Sequence, residues 1–496
     1  MNMYYSMREF LDTLEKKGRL KYVDTPLKAK RYDSDLDPFT RYLQNINGPA
    51  VVMTNLQEIN KPDIPVVMNL FGSYDRVATA LDCETYPEAI QKHMACQQKA
   101  IPPVMVERDK APCKDVIIKD DIDLRKIIPM VWFGKERQVY LTSSMTFSKD
   151  PDTGLRHMGW YRTAMLDVDP EGNPYPEERQ KTDITAYYWY DPPMSDVGRD
   201  CYKTLKQGKK FEVALAFFCD PALHIAAATS LPSNKSEIDF AGALRGAPVE
   251  MVKCETIDVD VPATAEWVFE CEMLEGEKEV DGPHGNSVGY LDKRFYLPVL
   301  RVKCITHRKN PMMYYTYEMK PPYDHSYITN LTNAAEVLGD IQPRFPQVKD
   351  CVVHPLGRGN FYVIQLNCDG ADKPHPEFGK TIIHAVWSTA GRWGRTAKFV
   401  VVVGPDIDPY DLNEVIWALV GRVQPVSDVI TVDSGPAMLL DPSAPRGPQN
   451  NAVQGQQMGI DALIKVPERF TEYDEVAAPD PERVKAVTEL VKSLFE

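Results

Sequence analysis

The chain has no stretch approaching the roughly 18 consecutive apolar residues of a membrane span, and its start, MNMYYSMREF, lacks the basic-then-apolar layout of a secretion signal. It is also short of positive charge. Lys and Arg number 57 against 71 Asp and Glu, a formal net charge of -14. A nucleic-acid surface needs a basic patch, so neither nucleic acid nor an anionic membrane is an expected partner. Ten cysteines are scattered without a single C-x-x-C pair. Disulfide scaffolds and zinc ribbons need clustered spacing, so reduced, mostly buried thiols and a cytoplasmic location are expected. Walker A, G-x-G-x-x-G after a strand, a strand-to-helix G-x-S-x-G elbow and H-E-x-x-H are all missing, which leaves nucleotide-triphosphate, simple dinucleotide and common hydrolase chemistries without local support.

What is present is an ordinary globular composition, 43% hydrophobic and 26% charged, over a length that suggests two or three domains. Ser6 and Glu9 form an S-x-x-E capping box, with Met7, Phe10, Leu11 and Leu14 on one face and Gly18 as a stop. The runs PAVVMTNL and IPVVMNLF continue an α/β N-terminal region over 1–110. From 111 to 322 strands dominate: VYLTSSMTFSKD, FEVALAFF, HIAAATSL, VEMVKCETIDVDV, EWVFECEM and LPVLRVKCITHRKNPMMYYTY, the last with a hairpin break at Lys309-Asn310-Pro311. A barrel or sandwich is expected there. An α/β pattern returns over 323–478, with a helix capped by Asp411. The tail 479–496 reads as an amphipathic helix, Asp480 at its cap and Pro481 at N1, with Val484, Val487, Leu490, Val491 and Leu494 on one face. That face is expected either to pack on its own domain or to meet another subunit.

Four stretches in order, YLTSSMTFSKDPDTGLRHMGWYRTAML, CDPALHIAAATSLP, EIDFAGALRGAPVEMVKCETIDVDVPATAEWVFECEM and DGPHGNSVGYL, together resemble the UbiD family of prenylated-FMN-dependent (de)carboxylases. DIDPYDLNEVIWALVGRVQP and LLDPSAP resemble its C-terminal part. The resemblance implies an α/β N-terminal region, a split β-barrel holding the flavin, and an α/β C-terminal domain closing over it. It also implies Mn²⁺ or another divalent cation, K⁺, a flavin prenyltransferase as cofactor supplier, and a homodimer or hexamer.

Residue by residue, HMGWYR (His157, Met158, Gly159, Trp160, Tyr161, Arg162) stands where the family has a metal ligand followed by an arginine beside the flavin. His157 replaces the usual asparagine; it either ligates through a ring nitrogen or is a buried histidine bonded to backbone. Asp196 takes the second ligand position, or is an exposed turn aspartate. Glu237 takes the third. The loop Ala228, Thr229, Ser230, Leu231 matches the one whose carbonyls hold potassium and cradle phosphate.

The family's E-G-P-x-G-[ED] pattern reads here as Asp281-Gly-Pro-His284-Gly-Asn286. Asp281 takes the acid that pairs with the arginine, but Asn286 cannot titrate. The cofactor joins covalently to the substrate and accepts electrons as CO₂ leaves, and the product carbon must then be protonated by an acid. Asp281 with Arg162, His284, or a water held by Asn286 are the three routes, in that order. His284 is otherwise a surface-loop residue, and DGPHG otherwise only a tight turn. Substrate-lining positions fall at His325, Tyr327, Ile328, Met438 and Leu439, a flat apolar slot suited to an aromatic or heteroaromatic acid. The expected activity is reversible, non-oxidative decarboxylation. The alternatives are a carboxylase subunit of a larger complex and a catalytically silent flavin-binding partner.

Overall fold

The computed structural model describes all residues except 1–3, 170, 293–294, 448–451, 453, 475, 481, 485–486, 489 and 492–496. The first helix, Met7–Lys16, buries Met7, Phe10, Leu11 and Leu14, the face the spacing indicated. Ser6 accepts from the Glu9 amide, but the Glu9 carboxylate reaches the amide of Tyr5 (2.7 Å) rather than that of Ser6, so the capping box is shifted by one residue. Gly18 turns the chain at φ +68°, a left-handed conformation glycine adopts without steric cost.

Behind this helix lies a four-stranded sheet. Leu20–Val23 runs parallel to Ala50–Met53, which pairs antiparallel with Val66–Met68. The fourth strand, Met313–Tyr314, adds parallel to Val66–Met68. The Lys309-Asn310-Pro311 break is therefore not a hairpin: the chain leaves the central sheet there and crosses into the N-terminal one. A strand Val104–Met105 pairs parallel with Glu250–Lys253, which with Asp260–Pro262 forms a separate three-stranded sheet.

The central sheet has nine strands, every pair antiparallel, and curls into a half-barrel. Its spine is the pair Trp267–Asp281 and Phe295–His307, with Asp281 opposite Phe295 at one end. Outward on one side come Glu212–Phe217, Met145–Lys149 and Arg156–Trp160; on the other come Asp183–Ala186, Thr163–Met165 and Tyr140–Leu141. Arg162 therefore lies in the short crossing between the two flanks of the half-barrel. HIAAATSL is not a strand. It belongs to the helix Pro221–Ala227, whose cap Asp220 accepts from the amides of Ala222 and Leu223. Asp-Pro is a helix-start signal that outweighs the apolar run following it.

The C-terminal sheet has five strands in the order Val348–Val353, Phe361–Leu366, Phe399–Val403, Gly455–Asp461, Val429–Gly435. Phe399–Val403 is buried at four of its five positions, as a strand covered on both faces must be. Asp411 caps the helix Leu412–Arg422. The helix Asp324–Ile341 ties this part to the rest: Asp324 accepts from the Leu70 amide (2.7 Å) and the Tyr314 hydroxyl (2.8 Å). In the tail, 482–484, 487–488 and 490–491 are helical, while Pro481 and Leu494 lie outside the described residues. None of the ten cysteines is exposed or disulfide-bonded. Among the described residues no helix is long and apolar enough to cross a membrane.

Candidate active site

A cavity of about 350 Å³ opens between the half-barrel and the C-terminal domain. Trp160, Tyr161, Arg162, Asn286, Asp292, Glu318 and His325 line it from the N-terminal and central side, and Arg358, Arg392, Trp393, Met438 and Leu439 from the other.

Arg162 is the hub of its wall. One Nη donates to Asp281 Oδ1 and the other to Asp292 Oδ2, both at 2.7 Å. The guanidinium faces the Tyr187 ring at 4.6 Å. Asp281 is fully buried, and its second oxygen accepts from Thr185 (3.0 Å). Asn286 uses both ends of its amide: Nδ2 donates to Asp292 Oδ1 (2.8 Å), and Oδ1 accepts from the Val288 and Tyr290 amides. The stretch 281–292 is thus a turn folded back so that an acid at each end grips one arginine. Burial opposes the charge on Arg162, but the two aspartates outweigh it and hold the guanidinium firmly protonated.

His284 is not a surface residue; it is 1% exposed. Its ring stacks on Tyr140 at 4.0 Å, with Glu136 2.5 Å from Nδ1 and Glu318 3.5 Å from Nε2. Neither contact has hydrogen-bond alignment, so charge rather than bond geometry dominates. Burial alone would lower the imidazole pKa; Glu136, then Glu318, reverse that and raise it to about 9. Glu318 also accepts from His325 (3.1 Å). Burial works against its carboxylate, but the two histidines hold its pKa well below the usual value. His325 stacks on Trp160 at 4.9 Å.

Further along the same wall, His157, Asp196 and Glu237 each present one ligand atom within 4.8 Å of the others. His157 Nδ1 lies 3.2 Å from Glu237, and its Nε2 3.1 Å from the Tyr161 hydroxyl, so this histidine bonds to side chains, not to backbone. Asp196 is no turn residue: it opens the helix Asp196–Lys206 behind the cap Ser195 and is ion-paired with Arg199. Glu237 opens the helix Glu237–Arg245 and is buried. One imidazole and two carboxylates suit a hard divalent cation. Met158 sits in the core with its amide on Glu237 (3.1 Å). Gly159 leaves no room for a side chain, since a Cβ there would stand 2.7 Å from the Tyr161 ring. In the loop 228–231, Thr229 donates to the Ile225 carbonyl (3.0 Å) and takes the His93 ring nitrogen at 3.0 Å. Its hydroxyl is thereby used within the fold, and the Ala228 carbonyl accepts from Thr332 (3.3 Å).

Of the substrate-lining positions, His325, Met438 and Leu439 reach the cavity. Tyr327 and Ile328 do not. They follow His325 on the helix and turn away: Tyr327 packs edge-on against Tyr74 at 5.2 Å, and Ile328 is fully buried in the core. Tyr327 lies about 160° round the helix from His325, whereas Ile328, only one turn along, is sealed in the core. Sequence reading missed Asp292, Glu136, Glu318 and Arg358. Gly285 to Gly289 also has G-x-S-x-G spacing, yet it turns between strands and none of the contacts of His284 is to Ser287.

A curled antiparallel sheet thus presents an arginine clamped by two acids, beside the His157, Asp196, Glu237 corner, to a cavity covered by the C-terminal α/β part. The N-terminal, Rift-related and C-terminal domain models of 3-octaprenyl-4-hydroxybenzoate carboxy-lyase match residues 11–94, 104–321 and 326–462, and the chain belongs to this UbiD family of carboxy-lyases. The structure is similar to that of the UbiD-class enzyme HmfF from Pelotomaculum thermopropionicum in complex with FMN, 27% identical, covering 97% of this chain and 99% of that one, TM-score 0.82. An evolved dimeric form of HmfF carries prFMN. Vanillic acid decarboxylase of Sedimentibacter hydroxybenzoicus, in its open form, is 25% identical over 99% of this chain and 100% of that one, TM-score 0.83. An uncharacterised protein of Synechocystis sp. is 28% identical over 98% of this chain and 95% of its own length.

Proposed function

We propose that this protein catalyses the reversible, non-oxidative decarboxylation of an aromatic or heteroaromatic carboxylic acid, using prenylated FMN, as a cytoplasmic homo-oligomer. The observation that carries this reading is the Asp281–Arg162–Asp292 clamp on the wall of the interdomain cavity, next to the His157, Asp196, Glu237 corner. That corner would hold Mn²⁺ or another divalent ion for the cofactor phosphate, and the carbonyls of Ala228 to Leu231 would hold K⁺. When bound, the cofactor supplies the electron sink that loss of CO₂ requires.

The protein's own residues do the rest. Arg162 and its two aspartates form a rigid, prepaid charge array at the reacting end, the kind of preorganisation that contributes most when water is excluded. Trp160 and Tyr161 offer ring faces to a planar substrate. Both oxygens of Asp281 and of Asp292 already accept hydrogen bonds, so neither carboxylate is free to turn toward the substrate. The proton reserve is His284. It is protonated at neutral pH, and Glu318 links it to His325 on the cavity wall. In this reading His284 is the proton reserve for the product carbon, the role that the acid at the Asn286 position would otherwise fill; Glu318, shared by His284 and His325, keeps the two imidazoles together at the cavity wall, and Asp281 orients Arg162.

The test is protein co-expressed with a flavin prenyltransferase and purified anaerobically. Its absorption spectrum and cofactor mass are recorded, and CO₂ release is screened over aromatic and heteroaromatic acids. Prenylated FMN with turnover of such acids is the expected result. Cofactor with turnover only after a second subunit is added would favour a carboxylase subunit. Cofactor with neither turnover nor exchange of labelled CO₂ would favour a silent flavin-binding partner, and no flavin at all would sink the reading.

A further inference from the structure

The two sides of the cavity carry opposite charge. On the half-barrel side the one guanidinium, Arg162, is shared by two aspartates, and His284 is shared by two glutamates. Among the described residues lining this side, no cation is left over to meet an anionic ligand. On the C-terminal side Arg358 and Arg392 line the cavity, and no described carboxylate lies within ion-pair distance of either. Arg358 is 6% exposed; its Nε and one Nη are buried without an aligned hydrogen bond, and its polar neighbour is the uncharged Tyr323 hydroxyl. Arg392 lies against the Trp393 ring at 4.9 Å.

Burying an unpaired guanidinium is costly, and the backbone adds to that cost. Arg358 has φ +40° and the following Gly359 φ +76°. A non-glycine residue in the left-handed region is strained, so the turn gives up stability to aim this side chain inward. Beside the turn, Asn333 Nδ2 stands 3.4 Å from where a Cβ on Gly359 would lie, and it too is buried without a partner. On this side of the cavity the guanidinium donors of Arg358 and Arg392 face no described carboxylate, an arrangement suited to an anion.

We propose that Arg358 and Arg392 form a subsite for a second anionic group on the substrate, so that the favoured substrate is an aromatic dicarboxylate. This rests on the decarboxylase reading above and names its substrate class. A planar guanidinium fork matches a carboxylate in two parallel hydrogen bonds. The distal carboxylate anchors at Arg358, and the carboxylate that leaves is held toward the acid-rich wall. There it is not stabilised by a free cation, which favours its departure as neutral CO₂. A monocarboxylate has only one anion to place and is drawn to the wrong end.

The experiment titrates terephthalate and benzoate into the flavin-loaded enzyme, wild type and Arg358→Gln, by calorimetry, with cofactor content measured on each preparation. Wild type is expected to bind terephthalate at least 10-fold tighter than benzoate. Arg358→Gln should lose about 10- to 100-fold for terephthalate, with a loss for benzoate at least tenfold smaller. Arg392→Gln should move the same ratio less. Should Arg358→Gln not fold, Arg358→Lys keeps the charge without the fork, and its ratio must fall between wild type and unity. Equal affinity of the wild type for both acids, or equal losses in the variants, overturns the subsite. A drop in bound cofactor on Arg358→Gln overturns it too, because the arginine would then serve the flavin. Tight terephthalate binding without release of CO₂ from any acid leaves the subsite standing and removes the decarboxylase reading instead.

Discussion

Two clusters on the same wall are built to opposite rules. Around Arg162 every charge is answered: each aspartate accepts from one Nη, Thr185 completes Asp281, and Asn286 completes Asp292. At the His157, Asp196, Glu237 corner one imidazole stands between two acids, and Arg199 answers Asp196 alone. Burial disfavours the imidazole's proton, yet Glu237, Asp196 and Asp200 together raise its pKa. The first cluster pairs its charges within itself and leaves only Arg162 Nε without a partner; the second gathers carboxylates around an imidazole whose proton they favour. Under the reading proposed above, the closed cluster would serve the reaction and the acid-rich corner would take the metal ion.

The largest effect should come from opening the closed cluster. Arg162→Ala leaves Asp281 and Asp292 buried side by side without their cation. Breaking one partner from a buried ion pair costs about 3–5 kcal/mol, and losing a preorganised charge at the reacting end costs about 10²–10³ in kcat. Thermal unfolding and CO₂ release by the loaded enzyme measure both. Full activity in this variant, or in Asp281→Asn, would remove Arg162 and Asp281 from the chemistry.

Sequence reading reached the two clusters unequally. The first helix, five of the nine strands of the half-barrel and Asp411 as a cap follow from local pattern, since capping and periodicity are decided within a few residues. Arg162, Asp281 and Glu237 stand in recognisable runs. Asp292, although inside the same stretch as Asp281, carries no local mark. Its partner Arg162 is 130 residues away, and only the fold-back of the 281–292 turn makes them neighbours. Glu136 and Glu318 were invisible for the same reason, being brought to His284 from opposite directions along the chain. Tyr327 and Ile328 show the converse error, in which sequence adjacency to His325 stood in for sharing its face.

Next in size is the proton reserve. His284→Phe keeps a ring to stack on Tyr140 but holds no proton, and should lower kcat by about 10²–10⁴, the usual contribution of a general acid. The wild-type rate should fall as pH rises through about 9, where His284 loses its proton, and the variant should lack that limb. Stability follows the same sign. The folded-state pKa lies above the unfolded value, so the stabilisation is complete below about 6.5, the ordinary histidine value. It disappears as pH climbs through about 9. A wild-type profile flat to pH 10 would refute the assignment.

A smaller effect is expected at the open cluster. Glu237→Gln keeps the shape and the helix start but removes an anion from the corner. Mn²⁺ affinity should drop about 10- to 100-fold, and flavin content should fall with it. A chelator should reproduce the loss in wild type without unfolding the protein, because the corner is only one part of a large core. Metal content by mass spectrometry separates this from a catalytic defect: excess Mn²⁺ should restore flavin retention in Glu237→Gln but not activity in Arg162→Ala.

The finest test of the closed cluster is Asn286→Asp, which supplies the acid that the family pattern would place there. The retained oxygen can still accept from the Val288 and Tyr290 amides. The other, however, replaces the donor that faces Asp292 Oδ1 at 2.8 Å, putting two carboxylates in contact. One of the pair must then keep a proton to well above the ordinary aspartate range. Loss of the hydrogen bond should cost about 1–3 kcal/mol. Because the shared pKa is raised in the folded state, the deficit should grow from pH 5 to pH 8 as unfolding releases that proton. If Arg162 needs both aspartates ionised, activity falls rather than rises. A variant as stable as wild type at pH 8 and faster than it would show that Asn286 is a replaceable remnant of a conventional acid, not the piece that lets Asp292 stay charged.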